Sequence, residues 1–298
     1  MHEFEKLQKL EVAAYGKVYK ARHKSTGQMV IIKKYNLGID NEGIPDCFTE
    51  EANLLKDLSN SFYVFRYICL LYWYKNEKPS LYMMFEYLDM DLKKFIDSNP
   101  IPLQPNLIQS FMYQLCKGVA HWHKFVMFHR DLNPQNLLVD TEKRILKIAD
   151  LGLGTPFPDI FDNVSYEFYS LCYRSPELLL GARNYKSEIN MWSVGCIFAE
   201  MILGSTLFPG DSQYDMLLHI FRLLGTPSEE QLPGLHTFSA WHDYPKWKPQ
   251  YLTFAFPCLN TVGLDLLSKM LDYNPEKRIS AEAALNHPYF DSLDKSRF

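Results

Sequence analysis

Asp131 and Asn136 lie in one polar run, His129-Arg130-Asp131-Leu132-Asn133-Pro134-Gln135-Asn136, and a further acid opens the triplet Asp150-Leu151-Gly152. Phosphoryl transfer asks little covalent chemistry of a protein. It needs a carboxylate to orient the attacking hydroxyl and hard oxygen ligands for magnesium. Asp131 is of the right type for the first role, and Asn136 with Asp150 for the second. Asp and Asn in an isolated polar loop would merely close turns by bonding their own backbone. The setting favours chemistry, because the first run follows a long helical pattern and the triplet closes a hairpin pattern.

The elements that must hold these residues are legible in the spacing of apolar side chains. From Phe4 to about Glu86, short apolar runs such as Val18-Tyr19-Lys20-Ala21 and Met29-Val30-Ile31-Ile32 alternate with turn residues such as Ser25-Thr26-Gly27, predicting a small antiparallel sheet. Within it Phe48, Ala52, Leu55 and Leu58 keep helical spacing, and Leu81 to Phe85 reads as a further buried strand. Beyond Asp91 the residues Leu107, Phe111, Leu115, Val119 and Trp122 mark one face of a long helix, and helical periodicity returns from Ser187 onward. Leu137-Leu138-Val139 and Ile145-Leu146-Lys147-Ile148 flank the polar turn Asp140 to Arg144, which predicts a β-hairpin on the helical part.

Composition narrows the function classes. Lys plus Arg total 31 against 35 for Asp plus Glu, a net charge of −4, so no global field favours nucleic acid or an anionic membrane. The 298 residues, 47% apolar, suffice for one domain of two joined lobes. Cys47, Cys69, Cys116, Cys172, Cys196 and Cys258 are scattered without C-x-x-C pairs, which predicts thiols in a reducing, intracellular setting. The most apolar stretch, Met191 to Phe208, contains Glu200 and two glycines and reads as a buried helix, not a membrane span.

Two further residues join the candidate site by position. Lys33 ends the strand Val30-Ile31-Ile32, where it could hold phosphates, and Glu51 on the following helix is its candidate ion-pair partner. Each type is commonly a solvated surface residue, and only their order relative to the Asp131 run favours function. By itself the segment Leu10 to Val18 reads as a hairpin with one glycine, Gly16.

These motifs, with Tyr15-Gly16-Lys17-Val18-Tyr19-Lys20-Ala21, Phe85-Glu86-Tyr87-Leu88, Asp91-Leu92-Lys93-Lys94-Phe95 and Leu207-Phe208-Pro209-Gly210-Asp211, resemble the protein kinases of the cyclin-dependent family. Leu151, the segment Leu217 to Pro227 and the ending Tyr289 to Ser296 resemble the plant B-type members. The resemblance implies an α+β, two-lobed kinase fold over residues 4–290. Its parts would be a small antiparallel-sheet lobe with one main helix (4–86), a hinge (86–91), a larger, mostly helical lobe (92–290) and a short tail (291–298). It implies ATP and Mg2+ as cofactors. Asp131, Lys33 and Glu51 would be catalytic. Lys33, Gly16, Val18, the hinge backbone of Glu86 and Leu88, Asp91 near the ribose and Leu138 as pocket floor would bind nucleotide, with Phe85 behind. Asn136 and Asp150 would hold the metal. Implied partners are a cyclin, a small cell-cycle regulatory subunit and a protein substrate, and the implied residence is the nucleus or cytoplasm.

Against that family pattern several positions are altered. In the segment Leu10 to Val18 the resemblance implies three glycines, to let backbone N–H groups approach phosphates; only Gly16 is present, and Glu11 adds bulk and negative charge there. Ile31 stands where the family has a small alanine against the purine, Asn133 where it has the lysine that contacts the transferring phosphate, and Asn190 where an aspartate tethers the catalytic loop. Ser165 occupies the activating phosphosite, but of the three arginines that gather its phosphate only Arg130 remains, the others being Glu50 and Thr155. Tyr15 survives as an inhibitory phosphosite beside Ala14. In the cyclin-facing helix Gly43-Ile44-Pro45 persists, while Thr49 replaces the apolar anchor. Arg174 is retained near the substrate site, where Phe168 and Tyr169 are bulkier than the family residues. Ser175-Pro176-Glu177 replaces Ala-Pro-Glu, with Arg278 at the position that pairs with the glutamate. Two readings result: a cyclin-dependent serine/threonine kinase of reduced activity, or a non-catalytic pseudokinase that binds a cyclin or regulatory subunit.

Overall fold

Val30-Ile31-Ile32 and Leu81 to Phe85 have the β-branched and large apolar side chains that suit a pleated, half-buried surface, and both form strands. The structure is a computed structural model that describes residues 2–13, 16–36, 46–75, 78–125, 131–149, 171–182 and 185–298. The chain divides into one unit of 1–89 with 149–163 and another of 90–148 with 164–298. In the first, β1 (Phe4–Ala13), β2 (Gly16–His23), β3 (Met29–Asn36), β4 (Tyr67–Lys75) and β5 (Lys78–Glu86) form one sheet in the order β1-β2-β3-β5-β4, every pair antiparallel. Gly27 closes the β2–β3 turn at φ 72, a left-handed conformation that suits glycine.

Register decides which side chains share a face. Val18 lies opposite Lys33, Ile31 opposite Phe85, and Gly16 opposite Tyr35, so all six belong to one face. The first helix, α1 (Asp46–Leu58), buries Ala52, Leu55 and Leu58, and its Phe48 packs edge-on against Tyr35 with ring centroids 4.8 Å apart. The opposite face carries Ala21, Val30, Ile32, Tyr82 and Met84, overlaid by Phe4, Tyr19, Leu71 and Trp73.

In the second unit α2 (Leu92–Asp97) precedes α3 (Pro105–Lys124), which starts with proline at its first position, where no N–H bond is lost. The predicted stripe on α3 shifts slightly, with Ile108 buried and Leu107 half-buried, and the helix is enclosed more fully than a single stripe implies. Gln114 accounts for one covered side: it accepts from Leu146 N at 2.9 Å and donates to Arg144 O at 3.1 Å. Those contacts fasten α3 to the predicted hairpin, observed as β7 (Leu137–Asp140) and β8 (Ile145–Ile148). A two-residue strand, β6 (Met90–Asp91), pairs with β7. It is too short for an apolar repeat to announce it. Further helices are α4 (Pro176–Leu179), α5 (Glu188–Leu203), α6 (Gln213–Leu224), α7 (Leu252–Ala255), α8 (Thr261–Met270) and α9 (Ala281–Leu285). Among the described residues no helix is long and apolar enough to cross a membrane, and Cys69, Cys116, Cys172, Cys196 and Cys258 are free thiols.

Helix α5 forms the centre of this unit, with every residue from Ile189 to Ile202 buried. It stops at Gly204, at φ 73, where an added Cβ would lie 2.6 Å from Ile101. Glu200, with no exposed surface, receives Lys93 Nζ at 3.1 Å and Tyr173 Oη at 2.5 Å. Arg278 grips Glu177 with both terminal nitrogens, at 2.7 and 3.0 Å, donates to Asp272 O and Glu188 O, and lies over the Trp192 ring. Such a bidentate pair satisfies both charges where water cannot. Arg278→Ala, which strands the Glu177 carboxylate, is expected to cost about 3–5 kcal/mol. The double variant Glu177→Gln, Arg278→Met should cost less. Urea unfolding followed by tryptophan fluorescence measures both, and equal losses would mean that packing rather than the pair sets the cost.

Candidate active site

The catalytic-loop segment is held from below by buried Leu132 and Pro134, which leaves Asp131 exposed. Asn133 precedes Pro134 and caps the short 3-10 turn Pro134–Asn136, its side-chain oxygen accepting from Gln135 N at 2.9 Å and Asn136 N at 3.2 Å. Its amide nitrogen donates to Asp131 O at 3.1 Å and Oδ1 at 3.0 Å. Asn136 donates to Asp131 O at 2.8 Å and to Oδ2 at 2.9 Å. Asp131 thus presents a carboxylate with an amide donor on each oxygen. Because the Asn136 nitrogen faces Asp131, its Oδ1 is the atom left for a hard cation, and it suits magnesium. Its partner Asp150 lies outside the described residues, as do His129, Arg130, Tyr15, Ser165, Thr155, Phe168, Tyr169 and Gly43 to Pro45.

Beside Asp131 a cavity of about 10 Å3, roughly the room of one water, is lined by Arg174, Ser175, Asn190 and Ser193 among others. Ser175 Oγ is buried without a hydrogen-bond partner. Asn190, 3% exposed, has its amide nitrogen 3.2 Å from His123 Nε2 at the end of α3. Burial lowers the His123 pKa from 6.5, while Glu188 and Glu282 pull the other way.

The remaining expected nucleotide contacts divide between the two units. In the second, strand pairing sets Asp91 opposite Leu138. The Asp91 carboxylate already caps α2, accepting from Lys94 N at 2.8 Å and pairing with Lys94 Nζ at 2.8 Å. In the first unit Lys33 is 4% exposed, its ammonium 4.9 Å from the centroid of the Tyr35 ring. Glu51 is half-buried on α1. Burial raises the Tyr67 phenol to about 12, with Cys69 and the Glu51 charge adding to the effect. Phe85 stacks on Phe65 with centroids 5.3 Å apart, and Ile31, 5% exposed, lies directly across from it. Glu86 N donates to Arg66 O at 3.0 Å, and Leu88 is buried two residues on.

Residues 4–290 match the protein kinase domain family. The chain is 55% identical to cyclin-dependent kinase B1-1 of Arabidopsis thaliana and to cell division control protein 2 homolog C of Antirrhinum majus, with 100% of each chain covered in both comparisons. It is 49% identical to cyclin-dependent kinase B2-1 of Arabidopsis thaliana, over 98% of this chain and 95% of that one. The chain is a protein kinase of the cyclin-dependent family.

The resemblance implied a charged side chain tethering the catalytic loop where Asn190 stands; Asn190 is neutral, and its observed partner is His123. An Asn amide donating to His123 Nε2 requires neutral imidazole. The depressed His123 pKa agrees with that requirement. Sequence reading saw the lost charge but missed His123, which carries no motif of its own. It also read Asn133 only as a missing cation, although Asn before Pro is a turn and cap signal.

Because the folded pKa of His123 lies below 6.5, the unfolded chain binds the proton first. Its contribution to stability is complete above pH 6.5 and falls away as the pH drops below that value. Melting temperatures from pH 7.5 to about 5 should therefore decline less steeply in His123→Gln than in the parent. Parallel curves would remove His123 from the account.

Proposed function

We propose that this chain transfers the γ-phosphate of ATP to serine or threonine hydroxyls of protein substrates, as a cyclin-dependent enzyme of cell division with a reduced rate. The observation that carries the reading is the Asp131 carboxylate, exposed and fixed by amide donors on both oxygens, with the Asn136 side-chain oxygen turned away from it. Asp131 accepts a hydrogen bond from the substrate hydroxyl and aligns it for attack, the contribution such a residue makes when bond-making is loose and positioning dominates. Lys33 neutralises phosphate charge and Glu51 steadies that lysine. Magnesium, when bound, neutralises charge on the phosphates, and Asn136 and Asp150 are its protein ligands. The reduced rate follows from Asn133: an amide supplies no positive charge to the transferring phosphate, and loss of one preorganised contact costs on the order of 100- to 1,000-fold.

The relatives' names speak of cyclin dependence and cell division control. A cyclin that docks on α1, a small regulatory subunit and residence in the nucleus or cytoplasm belong to the same proposal. Exposed Thr49 and Glu50 make the cyclin contact weaker than an apolar and a basic residue would.

A second reading, a pseudokinase that binds such partners without catalysis, is favoured by Ile31, whose buried side chain occupies the sheet face shared with Lys33. Calorimetric titration with ATP and magnesium separates the two. The enzyme reading expects binding that weakens in Asp150→Asn, and phosphotransfer to a Ser/Thr peptide in the presence of a B-type-compatible cyclin that disappears in Asp131→Asn. A folded chain that binds no nucleotide at millimolar ATP would leave the pseudokinase. Ile31→Ala should tighten ATP by roughly tenfold, and unchanged affinity would clear Ile31 of obstructing the purine.

A further inference from the structure

We infer that Asn133 is a positioning residue for phosphoryl transfer, one that holds Asp131 in its working orientation instead of contacting the phosphate. The inference rests on the reading above that Asp131 orients the substrate hydroxyl.

The hydrogen bonds fix which end of the amide does what. Asn133 Oδ1 faces the backbone N–H groups of Gln135 and Asn136, at 2.9 and 3.2 Å. An N–H cannot accept, so only the oxygen can stand there. The amide nitrogen therefore points at Asp131, where it meets the carbonyl at 3.1 Å and Oδ1 at 3.0 Å. Asn136 makes the matching pair of bonds to the same carbonyl and to Oδ2. The two amides bracket the aspartate, one to each carboxylate oxygen. An ionised carboxylate offers about four acceptor sites, so two amide bonds do not by themselves exhaust it.

Burial makes the arrangement stiff. Asn133 is 4% exposed, between Leu132 at 2% and buried Pro134, so its side chain has no solvent-filled space to swing into. A side chain committed to four local bonds is not available to a phosphate at the same time. The residue that sequence comparison reads as an absent cation is therefore occupied with a different task, and the rate that remains depends on it.

The donor and acceptor ends can be tested apart. Asn133→Ser retains a capping oxygen for the 3-10 turn but is too short to reach the Asp131 carboxylate. Asn133→Asp keeps the cap and sets a carboxylate against Asp131. Both are expected to lower kcat by about 10- to 100-fold while the KM for ATP stays within about twofold, and the Ser variant should melt at the parent's temperature. A Ser variant with parental kcat would make Asn133 a cap only and overturn the proposal. So would a loss of kcat accompanied by a matching rise in KM and a lower melting temperature. Should the parent itself transfer no phosphate, the proposed function fails first, and the hold on Asp131 is judged by NMR alone. The side-chain NH2 resonances of Asn133 are then expected to shift and to exchange faster in Asp131→Ala. Identical resonances in parent and variant would overturn the proposal whatever the activity.

Discussion

A helix enclosed on every side must seek partners for the polar groups it carries, and α5 is such a helix, with the Trp192 indole N–H the buried group it leaves unmet among those described. Its solutions order the second unit. Asn190 reaches His123 at the end of α3, Ser193 donates to Tyr173 O, and Glu200 gathers Lys93 from α2 and the Tyr173 hydroxyl. The carbonyl of Glu188 receives Arg278, which in turn holds Glu177 of α4. Segments far apart in the chain are thus registered against one helix. Asn190 and Ser193 of this helix also line the same small cavity as Asp131 and Ser175. Leaving Asn190, Ser193, Glu200 or Glu177 unmet would cost more than the bond itself is worth, since the group has already lost its water.

The first unit obeys a different constraint, the two-residue period of a pleated strand. Lys33 faces the side of the sheet shared with Val18, Phe85 and α1 only because β3 pairs in the observed register. Slipping that strand by one residue would send Lys33 to the opposite face and bring Ile32 in its stead. The same period makes Ile31 unavoidable: any residue two before the lysine lies on the lysine's face, so bulk there bears directly on whatever that face binds.

Strong local periodicity made much of this legible. The β2, β3 and β5 strands, the α1 helix and the β7–β8 hairpin all follow from alternation or helical spacing in the chain. What escaped depends on contacts between distant segments or on single side chains. The burial of α3 on several sides follows from Gln114 bonding to the hairpin and Tyr113 packing on Phe290, partners that no window around the helix contains. Met90–Asp91 pairs with β7 across a long stretch of sequence and has no pattern of its own. Within the site, residue types identified Asp131 and Asn136 as candidates, but type alone gave no sign of the bonds that Asn133 makes. Its lack of charge was legible, whereas the direction of its amide is set by neighbours that become neighbours only once the turn has formed.

The Glu177–Arg278 pair also orders events in time. The two residues are separated by 101 positions, and a ribosome adds about 5–20 residues per second. For on the order of ten seconds, then, a nascent chain carries the glutamate before the arginine exists. Until Arg278 has been made, the carboxylate is better off in water than in the interior, which keeps the segment around α4 from closing early. The ion pair cannot close before Arg278 has been synthesised, and a chain cut short before it leaves a solvated glutamate where a folded one has an ion pair.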